Sequence, residues 1–341
     1  MTGRERVLGA LRRQPVDRRP VANPTSVATA GLMARASAWF PEAHRNAEAM
    51  ARLAATGHTE LGYDTIMPVF SVVQESWALG CRVEWGERDS FPAVLMREPL
   101  WRDPEQIRIP ADLLAREGTC CVLEAIRRLK REFGRHVAIV GKVMGPWTLA
   151  YHCFGVEQFL LMTVDDPGKV QLILNRLKEV TVAFGVAQIE AGADALTLPD
   201  HATGDLVRAQ YYRRFLLDVH KELVERLPVP IILHICGKTL DRIPFIAETG
   251  VAAFHFDSKN NLEASVRAAG DRLVLAGAIN NPVTLLNGTP EDVRRETWRN
   301  LEAGVGLIGP ECAVPLATPV ENLREIRRSV DHWVGGCEST G

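Results

Sequence analysis

No window of this 341-residue chain approaches the run of about 20 apolar residues that a membrane-spanning helix needs. Nor is there a long block of one charge, since 40 Lys and Arg are interspersed with 42 Asp and Glu for a net charge of −2. That balance gives no electrostatic reason to expect nucleic acid or an anionic membrane as partner. Cysteine is sparse and odd in number, at seven, which excludes a disulfide framework and fits a reducing compartment. Low-complexity segments, flexible linkers and tandem repeats are absent. So are a Walker A loop, a GxGxxG turn and an HExxH helix, which weighs against nucleotide, dinucleotide and metalloprotease chemistry. The first twenty residues carry Arg4, Arg6, Arg12, Arg13, Arg18 and Arg19 but no apolar core. No secretory signal is expected there, and a cytoplasmic location follows. Thr2–Arg13 reads as a short surface helix ending near Pro15.

What the chain does contain is a recurring unit: a short β-branched run, a Gly/Pro/Asp turn, then an amphipathic helical stretch. The runs are Val137–Lys142, Ala195–Leu198, Pro230–His234, Ala253–Phe256 and Arg272–Ala276, with Val21–Ala22 and Tyr63–Pro68 earlier and Gly306–Ile308 later. Helical stretches fall at Thr119–Phe133, Pro167–Ala191, Gln210–Arg226 and Pro290–Ala303. Strands alternating with helices predict a parallel sheet, and about eight of them predict a closed α/β barrel, (β/α)8. One barrel domain over 1–341 is expected, with an N-terminal helical extension in 1–20 and an inserted hairpin at about 80–109.

Barrel enzymes place their chemistry where strands end and the following loops begin. Pro-Ile-Ile-Leu-His-Ile-Cys-Gly-Lys (230–238) puts His234 and Cys236 two residues apart at one strand end, so their side chains share a face. Gly-Pro-Glu-Cys-Ala-Val-Pro (309–315) puts Cys312 in the equivalent place after the last run. Two thiols and an imidazole form a soft, zinc-favouring set that leaves a fourth position open, as in catalytic zinc sites. Glu311 or Glu75 are candidates for that position. The competing interpretation is a buried cysteine beside a hydrogen-bonded histidine, and spacing alone leaves both open. Cys81, Cys120, Cys121 and Cys337 read as packing or surface thiols, and Cys153 follows a mouth-like loop. Three further mouth segments supply substrate-side candidates: Asp200 and His201 after Ala195–Leu198; Met144 and Trp147 around the Gly145-Pro146 turn; and Asn280 before Asn281-Pro282.

These residues, in this order, resemble the uroporphyrinogen decarboxylase superfamily, and within it the zinc-dependent methylcobamide methyltransferases. The resemblance runs from Arg-Glu-Arg-Val-Leu-Gly-Ala-Leu (4–11) and Val16-Asp17-Arg18 through Gly62-Tyr63-Asp64 and Glu75–Cys81. It continues with Gly-Pro-Trp-Thr-Leu-Ala (145–150), Ala-Thr-Gly-Asp-Leu (202–206), His-Ile-Cys-Gly (234–237), Leu-Asn-Gly-Thr-Pro-Glu-Asp-Val (286–293) and Gly309–Asn322. It implies a (β/α)8 barrel, zinc held by His234, Cys236 and Cys312, and methyl transfer between a corrinoid on a partner protein and a small substrate. That substrate would be a thiol such as coenzyme M, or a methylated compound such as a methoxylated aromatic. Decarboxylases of the superfamily use no metal and bind a polycarboxylate through arginines after the N-terminal Asp-Arg-Pro. Here that stretch reads Pro-Val-Ala-Asn-Pro-Thr (20–25), which sets metal-free decarboxylation as the alternative.

Overall fold

The structure is a computed structural model and describes residues 1–333. Nine strands are present among these residues. The barrel staves are β1 (Thr65–Ile66), β4 (Ala138–Lys142), β5 (Ala195–Pro199), β6 (Ile231–Ile235), β7 (Ala253–Phe256), β8 (Val274–Ile279) and β9 (Leu307–Pro310), and β2 (Val83–Glu84) and β3 (Ala93–Val94) stand apart. The staves pair in parallel in the order β1-β4-β5-β6-β7-β8-β9. Closure comes from a single residue pair. Val21 bridges Ile308 in parallel, Ala22 N–H donates to the Ile308 carbonyl at 2.9 Å, and Asp64 N–H donates to the Val21 carbonyl at 2.8 Å. With Val21 as the eighth stave, the fold is the (β/α)8 barrel. Gly309 permits this seam, because a Cβ there would overlap the Ala22 carbonyl.

The staves are apolar along their length because helices cover the outside and side chains fill the inside. At the barrel floor, Ala22, Ala138, Ala195, Ala253 and Ala276 form a cluster with Val7, Ala10 and Leu11. Small residues at the strand starts make room for the N-terminal helix, Gly3–Leu11, which plugs the bottom. The expected surface helix is therefore corrected: Arg6 through Leu11 are buried. A capping box starts it, with Thr2 Oγ1 accepting from Glu5 N–H at 3.2 Å and Glu5 Oε2 accepting from Thr2 N–H at 2.8 Å. Its Arg6 and the following Arg18 both donate to Asp64, each at 2.8 Å, tying plug, first stave and β1 together.

Helix bounds agree closely with the apolar periodicity. Pro167–Ala191 and Pro290–Ala303 are as expected, and the Thr119 stretch begins two residues earlier, at Glu117. The Gln210–Arg226 stretch is interrupted by one wide turn at Tyr212–Leu216. Residues 80–109 hold the antiparallel β2–β3 hairpin. It is pinned by Trp85 packing edge-on against Trp77 at 4.7 Å and Phe91 against Phe40 at 5.6 Å. Among the described residues, no helix is long and apolar enough to cross a membrane.

Candidate metal centre

β6 ends in the alternation Leu233-His234-Ile235-Cys236, and the loop after β9 carries Cys312 to the same mouth. His234 Nε2 lies 2.9 Å from Cys236 Sγ and 3.4 Å from Cys312 Sγ, and the two sulfurs are 3.1 Å apart. Donors on a tetrahedral zinc ion stand about 3.5–3.8 Å apart, so this trio fits one ion after spreading by about half an ångström. The imidazole is already set for it. His234 Nδ1–H donates to the His255 carbonyl at 3.1 Å, which leaves Nε2 bare toward the sulfurs. His255 is held in turn by its own Nε2–H, which donates to the Pro310 carbonyl at 2.8 Å.

The sulfurs behave as a pair. The hydrogen bond from Cys236 and the adjacent His234 imidazole pull Cys312 well below the ordinary thiol range. The same bond, with burial, pushes Cys236 up. A thiol shifted in that direction gives up its proton more readily to a soft metal.

His201, just after β5, joins this cluster. Its ring stands edge-on to His234 at 6.2 Å, and one of its nitrogens lies within 4.8 Å of donor atoms on both His234 and Cys236. Burial lowers its pKa to about 4, so it is a neutral donor at neutral pH.

The other sequence candidates occupy different surroundings. Asp200 is fully buried, accepting from Thr148 N–H at 2.8 Å and from His220 Nε2–H at 2.9 Å. His220 Nδ1 lies 2.9 Å from the Tyr212 hydroxyl, completing a relay behind the mouth. Gly145 is required beside it, since a Cβ there would strike the Asp200 carboxylate. Trp147 and Met144 are also fully buried. Trp147 packs on Phe159 at 4.9 Å, while the Met144 carbonyl accepts from Thr181 Oγ1 at 2.7 Å. Asn280 caps the next helical turn, with Oδ1 accepting from Val283 N–H at 2.6 Å and Nδ2 donating to Ser258 Oγ at 2.8 Å. Both Glu311 oxygens accept backbone N–H groups, from Asn281 at 2.7 Å and Ser258 at 2.9 Å. Among the remaining thiols, Cys81, Cys121 and Cys153 are buried and Cys120 is exposed, while Cys337 lies outside the described residues.

Glu75, 1% exposed, accepts from Met144 N–H at 2.7 Å. Burial pushes its pKa up to about 7, against the partial relief of that bond and the Lys142 charge. Lys142, the last residue of β4, is itself buried and lowered to about 8. A carboxyl raised on folding favours the folded state while protonated, and that contribution is lost as pH climbs from about 4.5 through about 7. The Glu75→Gln protein should therefore lose less stability than wild type between pH 5 and 7 in parallel urea titrations. Equal slopes would show that Glu75 is ionised throughout.

Residues 2–333 match the profile of the uroporphyrinogen decarboxylase (URO-D) family. The chain belongs to the URO-D family. Within that family it is 34% identical to a methylcobamide:CoM methyltransferase of Methanosarcina acetivorans, over 95% of this chain and 96% of the relative. A methylated-thiol–coenzyme M methyltransferase of Methanosarcina mazei is 32% identical, covering 100% of this chain and 90% of its own. A solved methyltransferase structure from M. mazei superposes with a TM-score of 0.94 at 30% identity, over 97% of this chain and 98% of that one. Both the barrel and its length are thus those of URO-D family methyltransferases.

Proposed function

We propose that this chain, working as one barrel unit, is a zinc-dependent methyltransferase that moves a methyl group between a corrinoid on a partner protein and a small substrate. The observation that carries the proposal is the convergence of His234, Cys236 and Cys312 within 3.4 Å at the barrel mouth. Zinc bound there supplies a Lewis acid for the substrate heteroatom, where charge changes as the methyl group arrives or leaves. The chain's own groups do the rest. The His255 carbonyl holds His234 in the tautomer that presents Nε2. The thiol pair supplies negative charge beside the His234 imidazole. Glu75 is the substrate-side group we retain, because it is buried beside Lys142 with its proton free to move near neutral pH.

The names of the two curated relatives include coenzyme M, so the substrate class we favour is a small thiol. A methoxylated aromatic is less well supported, because Met144, Trp147 and Phe154 are fully buried rather than lining an open apolar pocket. The methylcobamide in the names of the relatives supports a corrinoid carried by a partner protein. A cytoplasmic location accords with these assignments.

The family name favours one second reading, a metal-free tetrapyrrole decarboxylase. Against it, the mouth gathers thiols and imidazoles, and residues 20–25 offer no arginine to a polycarboxylate. Removing metal separates the two. Dialysis against a strong chelator should abolish methylcobalamin demethylation, and one equivalent of zinc should restore it. Activity that survives complete metal removal would end the zinc reading.

A further inference from the structure

We propose that His201 is a fourth protein ligand of the metal centre, which closes the site at rest and gives way to the substrate. This inference rests on the zinc reading above and goes beyond its three ligands.

Four observations support it. A nitrogen of His201 stands within 4.8 Å of the donor atoms of both His234 and Cys236. Its ring stands edge-on to that of His234 at 6.2 Å. Its attachment is specific. His201 N–H donates to Thr148 Oγ1 at 2.9 Å, and the same hydroxyl lies 3.4 Å from Nδ1, which leaves Nε2 as the free ring nitrogen. The strand-end position is fixed by the preceding residue, because Asp200 is locked between Thr148 and His220.

The carboxylates near the cluster are committed elsewhere. Glu311 spends one oxygen on each of Asn281 and Ser258. Asp257 accepts Gly237 N–H at 2.9 Å with one oxygen and Lys259 N–H at 2.8 Å with the other. Glu75 is bonded to Met144 and faces Lys142. These bonds turn Glu311 and Glu75, the carboxylates expected at the fourth position, toward other partners and favour imidazole as the donor at hand.

A ligand held by a short loop through one threonine hydroxyl is easier to release than those on β6 and its ladder. A thiol entering a zinc-loaded site would exchange the metal–nitrogen bond of His201 for a metal–sulfur bond and give up its proton to buffer.

The test is X-ray absorption of the zinc-loaded full chain, wild type beside His201→Ala and Thr148→Val, with zinc affinity measured by chelator competition. Wild type should show two sulfur and two imidazole scatterers. His201→Ala should show one imidazole fewer and bind zinc about 10- to 100-fold more weakly. Adding 2-sulfanylethanesulfonate to wild type should replace one imidazole by a third sulfur. A single imidazole in wild type, unchanged in His201→Ala, overturns the proposal while leaving zinc at His234, Cys236 and Cys312 intact. A chain that binds no zinc overturns both readings.

Discussion

Cys312→Ala and Cys236→Ala should each abolish zinc retention and methyl transfer together, with turnover falling about a thousandfold or more as the donor set drops to two. The fold should survive. Both thiols sit at strand ends rather than in the packed staves. Circular dichroism and the urea midpoint should therefore stay near wild type while metal analysis falls toward zero. His234→Ala belongs to the same group, with the added loss of the bond to the His255 carbonyl. Full zinc content in either cysteine variant would remove that sulfur from the centre.

The second large effect lies behind the site. Asp200→Ala strands the His220 Nε2–H and the Thr148 N–H in a region closed to bulk solvent. Buried donors left unpaired cost about 1–3 kcal/mol each, so a loss of about 3 kcal/mol is expected in urea denaturation. Asp200→Asn keeps an acceptor oxygen and should lose about half as much. Both variants should keep the His234, Cys236 and Cys312 donors in place, because Asp200 hydrogen-bonds to none of the three and acts on the centre only through its neighbour His201. A neutral effect of Asp200→Ala on stability would mean that the relay to His220 and Tyr212 is not formed.

The contrast between these two predictions shows what the sequence could and could not convey. Strands were legible because parallel staves must be apolar on both faces, which gives short uninterrupted runs. Their ends were legible because His234, Cys236, Asp200 and His201 are polar residues placed abruptly after such runs. The direction of each side chain was not. Asp200 and His201 are neighbours on an extended chain, so one must point away from the other. Only the partner twenty residues on, His220, decides that Asp200 is the one turned inward. Met144 and Trp147 were ambiguous for the usual reason: large apolar residues near a mouth are more often core.

The arginines of the N-terminal helix point to a solvent-exposed element, yet Arg6 through Leu11 are buried. Val7, Ala10 and Leu11, three and four apart, mark the face that enters the barrel, and Arg6 is buried against Asp64 rather than exposed. His255, Thr148 and Lys142 are not among the site candidates the sequence offers. The first two act through a backbone carbonyl and a hydroxyl that no spacing rule singles out. Lys142 did leave a signal, since a lysine closing the buried run Ala-Ile-Val-Gly-Lys has nowhere to go but the mouth.

The measurement that bears most directly on the account is single-turnover methyl transfer by the zinc-loaded chain, with methylcobalamin and 2-sulfanylethanesulfonate, alongside uroporphyrinogen in a separate reaction. The account predicts loss of the methylcobalamin spectrum with one methyl thioether formed per cobalt reduced, and no carbon dioxide from the tetrapyrrole. Carbon dioxide release by metal-free chain, with methylcobalamin left unchanged, would contradict it.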